Sequence, residues 1–287
     1  MSAHAFDVRR QCREIILDIT DKQGNSSLDD TKAVRKWLLC NREVPTRLQG
    51  KLPRCGLSAV SMAVELIKRE EDDNYVASSA QKLYEEELDN LLILAKSRGF
   101  SNQGELYSAE NLACLAEEFY GVECSVMSNG LEDHHSTVSK LLKGTAVLVP
   151  YDADKNNKPC LENGHRAHWA LLTGVMCELS DNSIDWTLFE QDVDVPTLFY
   201  ASPSQSFVLP PNCTLQHVYF CIKHGKSNHT AVWTLESLKS SNANLLELDP
   251  KRRLAGNWVV PRDDLRVGLC QKIVLMSGKS YKTEYQL

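Results

Sequence analysis

The stretch Leu48-Gln49-Gly50-Lys51-Leu52-Pro53-Arg54-Cys55-Gly56-Leu57 places a thiol where a loop meets a helix. Pro53 disfavours helical geometry in the residue before it, and the small and apolar residues after Gly56 predict a buried helix that begins near Cys55. A thiol at a helix N-terminus meets unpaired backbone N–H groups and the positive end of the helix dipole, which favour the thiolate. Cys55 is therefore predicted to be a nucleophile.

A thiolate nucleophile needs a base and an oxyanion donor. Gln49, six residues before the cysteine, is predicted to supply the donor through its amide. The base is predicted in the segment Gly164–Val175, where His168 opens a short apolar run that is typical of a buried strand. His165 competes for the same role, but it precedes the strand, so its position is less constrained.

A cysteine before a helix, a histidine at a strand start and an upstream glutamine together resemble the papain-like cysteine peptidases. A closer similarity, to the actin maturation proteases, extends from about residue 49 to residue 275. It is carried by six short segments: Leu52–Leu57, Val149–Lys155, Pro159–Cys160, Gly164–Ala170, Gly225–Ser227 and Gly268–Cys270.

The resemblance implies an α+β fold of the papain-like type, in which a helical lobe carrying the cysteine packs against an antiparallel sheet carrying the histidine. It also implies an activity, the removal of an acetylated cysteine or methionine from the N-terminus of newly made actin. On this similarity Cys55 is the nucleophile and His168 the base. Some relatives carry a proline-rich N-terminal segment that is suited to binding profilin. Only Pro45 and Pro53 precede residue 100 here, which argues against recruitment of profilin.

The third member of a catalytic triad, which holds the imidazole, is less well marked. Papain-like sites place an Asn or Asp near a strand that follows the histidine strand. The nearby candidates are Asp181, Asp185, Ser227 and Asn228. The resemblance favours Asn228, and a dyad with only a backbone group to orient the histidine is the alternative.

Substrate contacts are predicted around the two catalytic segments. The candidates are Arg54, Tyr151, Asp152, Asp154, Arg166 and Trp169. Basic residues flank both segments in a protein of net charge −6, namely Lys51, Arg54, Lys155, Lys158 and Arg166. Because actin N-termini are acidic, the site and that substrate would be complementary. The alternative is that these are ordinary solvated loops.

Composition excludes several other classes of function. An acidic chain of 287 residues is unsuited to general nucleic-acid binding. The N-terminus has no apolar signal region and no later stretch has the length of a membrane span, so a cytoplasmic protein is expected. Because the chain shows no secretory signal peptide, its ten cysteines are expected to be reduced thiols. No C-x-x-C motif occurs and His134 adjoins His135, so neither a metal nor a cofactor is predicted.

Two regions are expected, an accessory helical segment over residues 1–44 and a peptidase domain over residues 45–287. The accessory segment includes a predicted helix from Asp30 to Leu39 that carries Trp37. Further helices are predicted at 80–98, 109–120 and 136–142, and strands at 122–127, 146–149, 168 onward, 186–189, 217–223 and 271–276.

Two other functions remain open from the sequence alone. The same residues could serve an isopeptidase acting on a ubiquitin-like C-terminus, which would need a narrow channel for two glycines. The chain could instead be a catalytically silent actin-binding assembly factor, although intact Cys55 and His168 disfavour silence.

Overall fold

A computed structural model describes residues 3–24, 35–72, 75, 81–180, 184–202, 207–210 and 213–279, and it shows an α+β protein. The helices are α1 (Ala3–Gly24), α2 (Cys55–Glu71), α3 (Gln81–Ser97), α4 (Ala109–Tyr120), α5 (His134–Leu142), α6 (Leu235–Ala243), α7 (Pro250–Ala255) and α8 (Leu265–Gly268). The strands are β1 (Lys36–Asn41), β2 (Glu123–Ser128), β3 (Ala146–Asp152), β4 (Ala167–Ser180), β5 (Glu190–Gln191), β6 (Leu198–Tyr200), β7 (Thr214–Lys223), β8 (Ala231–Thr234) and β9 (Lys272–Ser277).

All of these strands belong to one mixed sheet, in the order β2-β9-β3-β4-β1-β6-β5, with β7 and β8 branching from β4. The long strand β4 organises it, since β3 pairs with residues 167–172, β1 with residues 174–179 and β7 with residues 171–180. These pairings are antiparallel, whereas β1 and β6 run parallel. Strand β4 is buried along almost its whole length, so its first residues are held rigidly.

Helix α2 packs against β4 and β3, and it is buried from Cys55 to Ile67. Its small residues, such as Gly56 and Ala59, allow close packing, and the apolar core between the helices and this face of the sheet includes Trp169. A second apolar core covers the opposite face. The start of α2 is therefore fixed by close packing against the sheet.

Several local expectations are confirmed. Helix α2 begins at Cys55, and α4 has Ser108 as its N-cap, whose hydroxyl accepts from the Asn111 N–H at 3.1 Å. Gly121 ends α4 in the left-handed conformation at φ +71°. His168 lies at the second residue of β4, as the apolar run predicts.

Two local expectations are wrong. Residues 36–41 form strand β1, not the end of a helix, and Trp37 pairs with Glu178 of β4; the start of that predicted helix, residues 30–34, lies outside the described residues. Residues 36–41 thus contribute to the same sheet as the residues of the expected peptidase domain. The segment Trp186–Leu188 is a 3₁₀ turn where a strand was predicted. Residues 36–41 form a strand because they pair with residues far away in the sequence, which overrides the local pattern. Residues 186–188 lack such pairing among the described residues and form a turn.

Helix α1 is held by charge pairs to the loop around β5. Arg9 contacts Glu190 at 2.7 Å, and Arg13 contacts Asp192 at 2.7 Å. Its apolar side reaches a third core with Trp37. Among the described helices, none combines the length and the apolar character that crossing a bilayer would require.

Candidate active site

Cys55 is the first residue of α2 and lines a cavity of about 430 Å³. The backbone groups of Gly56 and Trp169 lie near its sulfur and favour a lower pKa of the thiol. Because Trp169 directly follows His168, this contact brings the thiol against the start of β4. Gly56 permits this close packing, since an added Cβ would stand 3.2 Å from side-chain atoms of both Leu106 and Trp169.

His168 lines the same cavity and is 7% exposed. Its ring packs edge-on against Tyr151, with centroids 5.6 Å apart, and against His224, with centroids 5.5 Å apart. Trp233 completes this aromatic cluster, 5.2 Å from Tyr151 and 6.1 Å from His224. The buried Nε2 atom of His168 has no hydrogen-bond partner among the described residues. Among the described residues, the imidazole is held by aromatic packing, and no amide or carboxylate bonds to it.

Gln49 also lines the cavity and is held from two sides. Its backbone N–H donates to the Gly225 carbonyl at 2.9 Å, and its side-chain Nε2 donates to the Leu52 carbonyl at 2.9 Å. A Cβ on Gly225 would approach Gln49 Cβ at 3.1 Å and the Ser58 hydroxyl at 2.8 Å. Glycine at 225 therefore permits the close approach that positions the amide beside Cys55.

The protonation states differ from the expected thiolate. Burial raises the pKa of the Cys55 thiol, against the opposing effects of the two backbone groups and of Arg252 and Lys226. Burial, together with the charges of His224, Lys226 and Arg166, lowers the pKa of His168 to about 3. The resting pair is therefore a neutral thiol and a neutral imidazole at neutral pH, which suits an imidazole that accepts the thiol proton.

Asn228, expected to hold the imidazole, lies elsewhere. It is exposed, does not line the cavity, and its carbonyl accepts from the Thr46 hydroxyl at 3.3 Å. Among the alternatives, Asp185 caps the 3₁₀ turn, and Asp181 lies outside the described residues. The residue beside His168 is His224, immediately after β7, which sequence reasoning missed because no motif marks it. The antiparallel pairing of β4 with β7 brings the two histidines together.

Three of the residues predicted to contact substrate are held by contacts within the protein. Tyr151 is fully buried behind His168, and its hydroxyl donates to the Asn157 carbonyl at 2.9 Å. Asp152 is also fully buried, and its carboxylate accepts from Asn244 Nδ2 at 3.0 Å and from the Glu162 N–H. Asp154 accepts from the Asn156 and Lys158 N–H groups, which closes the turn that leads to His168.

The other residues predicted near the substrate fall into two groups, those that line the cavity and those that do not. Arg166, Trp169 and Lys51 line the cavity. Arg54 instead pairs with Asp89 at 2.6 Å and does not line the cavity. Neither Lys155 nor Lys158 is among the lining residues.

Two cations at the cavity were missed from sequence, Lys226 and Arg252. Lys226 lies in the similarity segment Gly225–Ser227, which could have indicated it, whereas Arg252 belongs to a basic run on α7 with no such signal. The competing base candidate, His165, pairs with Glu247 at 3.0 Å and does not line the cavity. Among the described residues no cluster of three or more His, Cys, Asp or Glu side chains could hold a metal ion.

The fold and the cavity define a class, α+β proteins in which a cysteine at a helix start and a histidine at a strand start face one cavity beside a buried glutamine. Comparison with known proteins identifies the family within this class. A family model described as the actin maturation protease-like C-terminal domain matches residues 44–176. The chain is 36% identical to an actin maturation protease of Xenopus tropicalis over 247 residues, which is 85% of this chain and 75% of that protein. It is 33% identical to one of Danio rerio over 252 residues, 87% of this chain and 77% of that protein. The chain belongs to the actin maturation protease family.

Proposed function

We propose that this protein is a cysteine aminopeptidase of papain-like architecture that removes the acetylated first residue, cysteine or methionine, from immature actin. The observation that carries the proposal is the convergence of Cys55, His168 and Gln49 on one cavity. The names of the relatives support the substrate, since each is called an actin maturation protease.

In the proposed reaction, His168 accepts the thiol proton as Cys55 attacks the carbonyl of the acetylated residue. The developing oxyanion lies toward the Gln49 amide and the Cys55 backbone N–H. The imidazolium then gives its proton to the leaving amine, which is the new actin N-terminus. Water next attacks the thioester, with His168 as base, and releases the acetylated amino acid.

The charges of the cavity favour an acetylated N-terminus over a free one. Lys51, Arg166, Lys226 and Arg252 line it, and these cations would repel a free α-ammonium group. Acetylation removes that charge. Among the described residues that line the cavity, one is acidic, Glu105. Its carboxylate already accepts from the N–H groups of residues 102, 103 and 259 and from the Ser101 hydroxyl. An uncharged acetyl group followed by acidic residues is the complementary ligand.

Intact-mass analysis of newly made, N-acetylated actin incubated with the purified protein tests the proposal. Loss of one acetylated residue is expected with the wild type and not with Cys55→Ala or His168→Ala, since the thiol and the imidazole act as a unit. Unchanged actin mass with folded wild-type protein would overturn it.

The same experiment separates the other two functions. An isopeptidase would leave actin intact and cleave a ubiquitin-like fusion after its two terminal glycines. A silent assembly factor would bind actin with equal affinity in wild type and Cys55→Ala while cleaving neither substrate.

A further inference from the structure

A second cavity of about 360 Å³ adjoins the first. Its lining residues are Leu248, Arg252, Arg253, Gly256, Trp258 and Val260. Arg252 and Trp258 line both cavities, so the two are neighbours across this pair of side chains. The second cavity contains none of the residues of the proposed reaction.

The second cavity is lined by two arginines, and none of its described lining residues is acidic. Arg252 Nη1 donates to the neutral Tyr107 hydroxyl at 2.6 Å, and its guanidinium lies 5.0 Å from the centre of the Trp258 ring. No carboxylate pairs with Arg252 or Arg253 within the part of the chain that the structure describes. Arginines of this kind beside an apolar wall suit carboxylates, which they bind through paired N–H groups.

The wall between the cavities is firmly held. Buried Glu105 accepts from the Val259 N–H at 3.1 Å, and Gln103 donates to the Asn257 carbonyl at 3.4 Å. Tyr107 packs against Trp258 with ring centres 6.3 Å apart. The second cavity is thus a preformed site, so that binding there requires little ordering of this segment.

We propose that this second cavity, which we term the arginine subsite, binds acidic side chains of the substrate chain downstream of the scissile bond. The inference rests on the proposed function in one respect. An enzyme that removes a single acylated residue has only that residue on the amino side of the bond, and the first cavity accommodates it. Any adjoining groove then receives the chain that follows.

The test measures binding apart from turnover. Fluorescently labelled peptides with an acetylated first residue carry either four acidic residues or four serines after it. Each is titrated against protein with Cys55→Ala, which cannot turn over, and fluorescence anisotropy gives the dissociation constant. Arg253→Ser in this background should weaken binding of the acidic peptide about tenfold and leave the serine peptide within about twofold.

Lys251→Ser is the matched control, because Lys251 is an exposed neighbour with the same charge that lines neither cavity. It should leave both peptides within about twofold. The charge-reversal variant Arg253→Glu should bind a peptide with four lysines more tightly than the protein with Arg253 does, a gain that misfolding cannot produce, and its preference for the acidic peptide should be reduced.

Equal losses in Arg253→Ser and Lys251→Ser, or an unchanged preference in Arg253→Glu, would overturn the arginine subsite. Failure of the proposed function has a different signature. In that case the wild type cleaves neither peptide, whatever the binding data show.

Discussion

At the scale of single residues, the Cys55 thiol and the His168 imidazole are both buried from solvent. Cys55 and His168 each sit at the first or second residue of a buried element, and both pKa values move toward the neutral forms. Desolvation opposes charge on either group, and here it outweighs the helix N-terminus. The reactive ion pair therefore forms at attack and does not rest in the free protein.

This arrangement predicts slow alkylation of Cys55 at acidic pH. Since burial raises the thiol pKa, the thiolate fraction is small near pH 6 and grows as pH rises toward that value, so iodoacetamide should label Cys55 progressively faster up to alkaline pH. Peptide mapping measures the rate, with exposed Cys114 as the reference thiol. Faster labelling of Cys55 than of Cys114 at pH 5 to 6 would instead support a resting thiolate.

His224 is predicted to act as a positioning residue for His168. His224→Ala should lower kcat about tenfold to a hundredfold with little change in KM, because a displaced base is a poorly aligned one. His224→Asn should retain most activity, since its side-chain oxygen can replace Nδ1 as acceptor for the Lys226 N–H, a bond of 3.3 Å.

The pH profile distinguishes this role from general support of the fold. The charge of His224 contributes to the low pKa of His168, so its removal should raise that pKa. The base is active when unprotonated, and the acidic limb of the kcat/KM profile of His224→Asn should therefore move to higher pH. An unmoved acidic limb would assign His224 a purely structural role.

At the scale of elements, strand β4 positions the candidate active site, because it carries His168 and pairs with β1, β3 and β7. Gly174 is the first residue of the part of β4 that pairs with β1, just after the part that pairs with β3, and it faces Asn41 of β1. A Cβ at this position would collide with the Cys40 carbonyl oxygen and the Asn41 Cα, both of them backbone atoms that cannot move aside. Glycine thus permits the close approach of β1 to the strand that carries His168.

Gly174→Ala should accordingly lower the free energy of unfolding by about 3 kcal/mol, the upper end for overpacking. Urea denaturation followed by circular dichroism measures it. Gly256→Ala is the control, because its φ of +69° imposes only a backbone cost and nothing lies within 4 Å of the added Cβ. That variant should lose about 1 kcal/mol. Equal losses in the two variants would show that the β1 contact is not tight.

At the scale of the whole molecule, charge is unevenly distributed. The protein carries a net charge of −6, yet four cations line the cavity that contains Cys55. A local positive field in a cleft raises the encounter rate with an anionic substrate and weakens as salt screens it. The field therefore bears on substrate choice more than on stability.

Cleavage of an acetylated peptide with acidic residues after the first should fall as salt rises, with the change mainly in kcat/KM. Screening shortens the reach of exposed charges to about 8 to 10 Å near physiological ionic strength. Exposed Arg166→Glu should shift preference toward the matched serine peptide. Cleavage of both peptides at equal rates across the salt range would show that the cavity charges do not select the substrate.

Local patterns were sufficient to predict much of this molecule. Pro53 and the small residues after it predict where α2 begins, Ser108 and Gly121 bound α4, and the apolar run after His168 predicts β4. Each of these signals acts within a few residues, through caps, dihedral limits and burial periodicity. None of the three signals for the cysteine, the histidine and the glutamine is specific alone, so these residues are predicted as a set, from their combination and from the family resemblance of the surrounding segments.

Tertiary structure decided the rest. Trp37 lies in a strand because β1 pairs with β4. His224 lies against His168 because β7 also pairs with β4. Arg252 reached the cavity from a helix almost two hundred residues after Cys55. By itself, the sequence determined which residues could carry the chemistry. Only the folded chain determined which of them meet, and how far they are removed from water, because burial and long-range pairing depend on the packing of all the elements together.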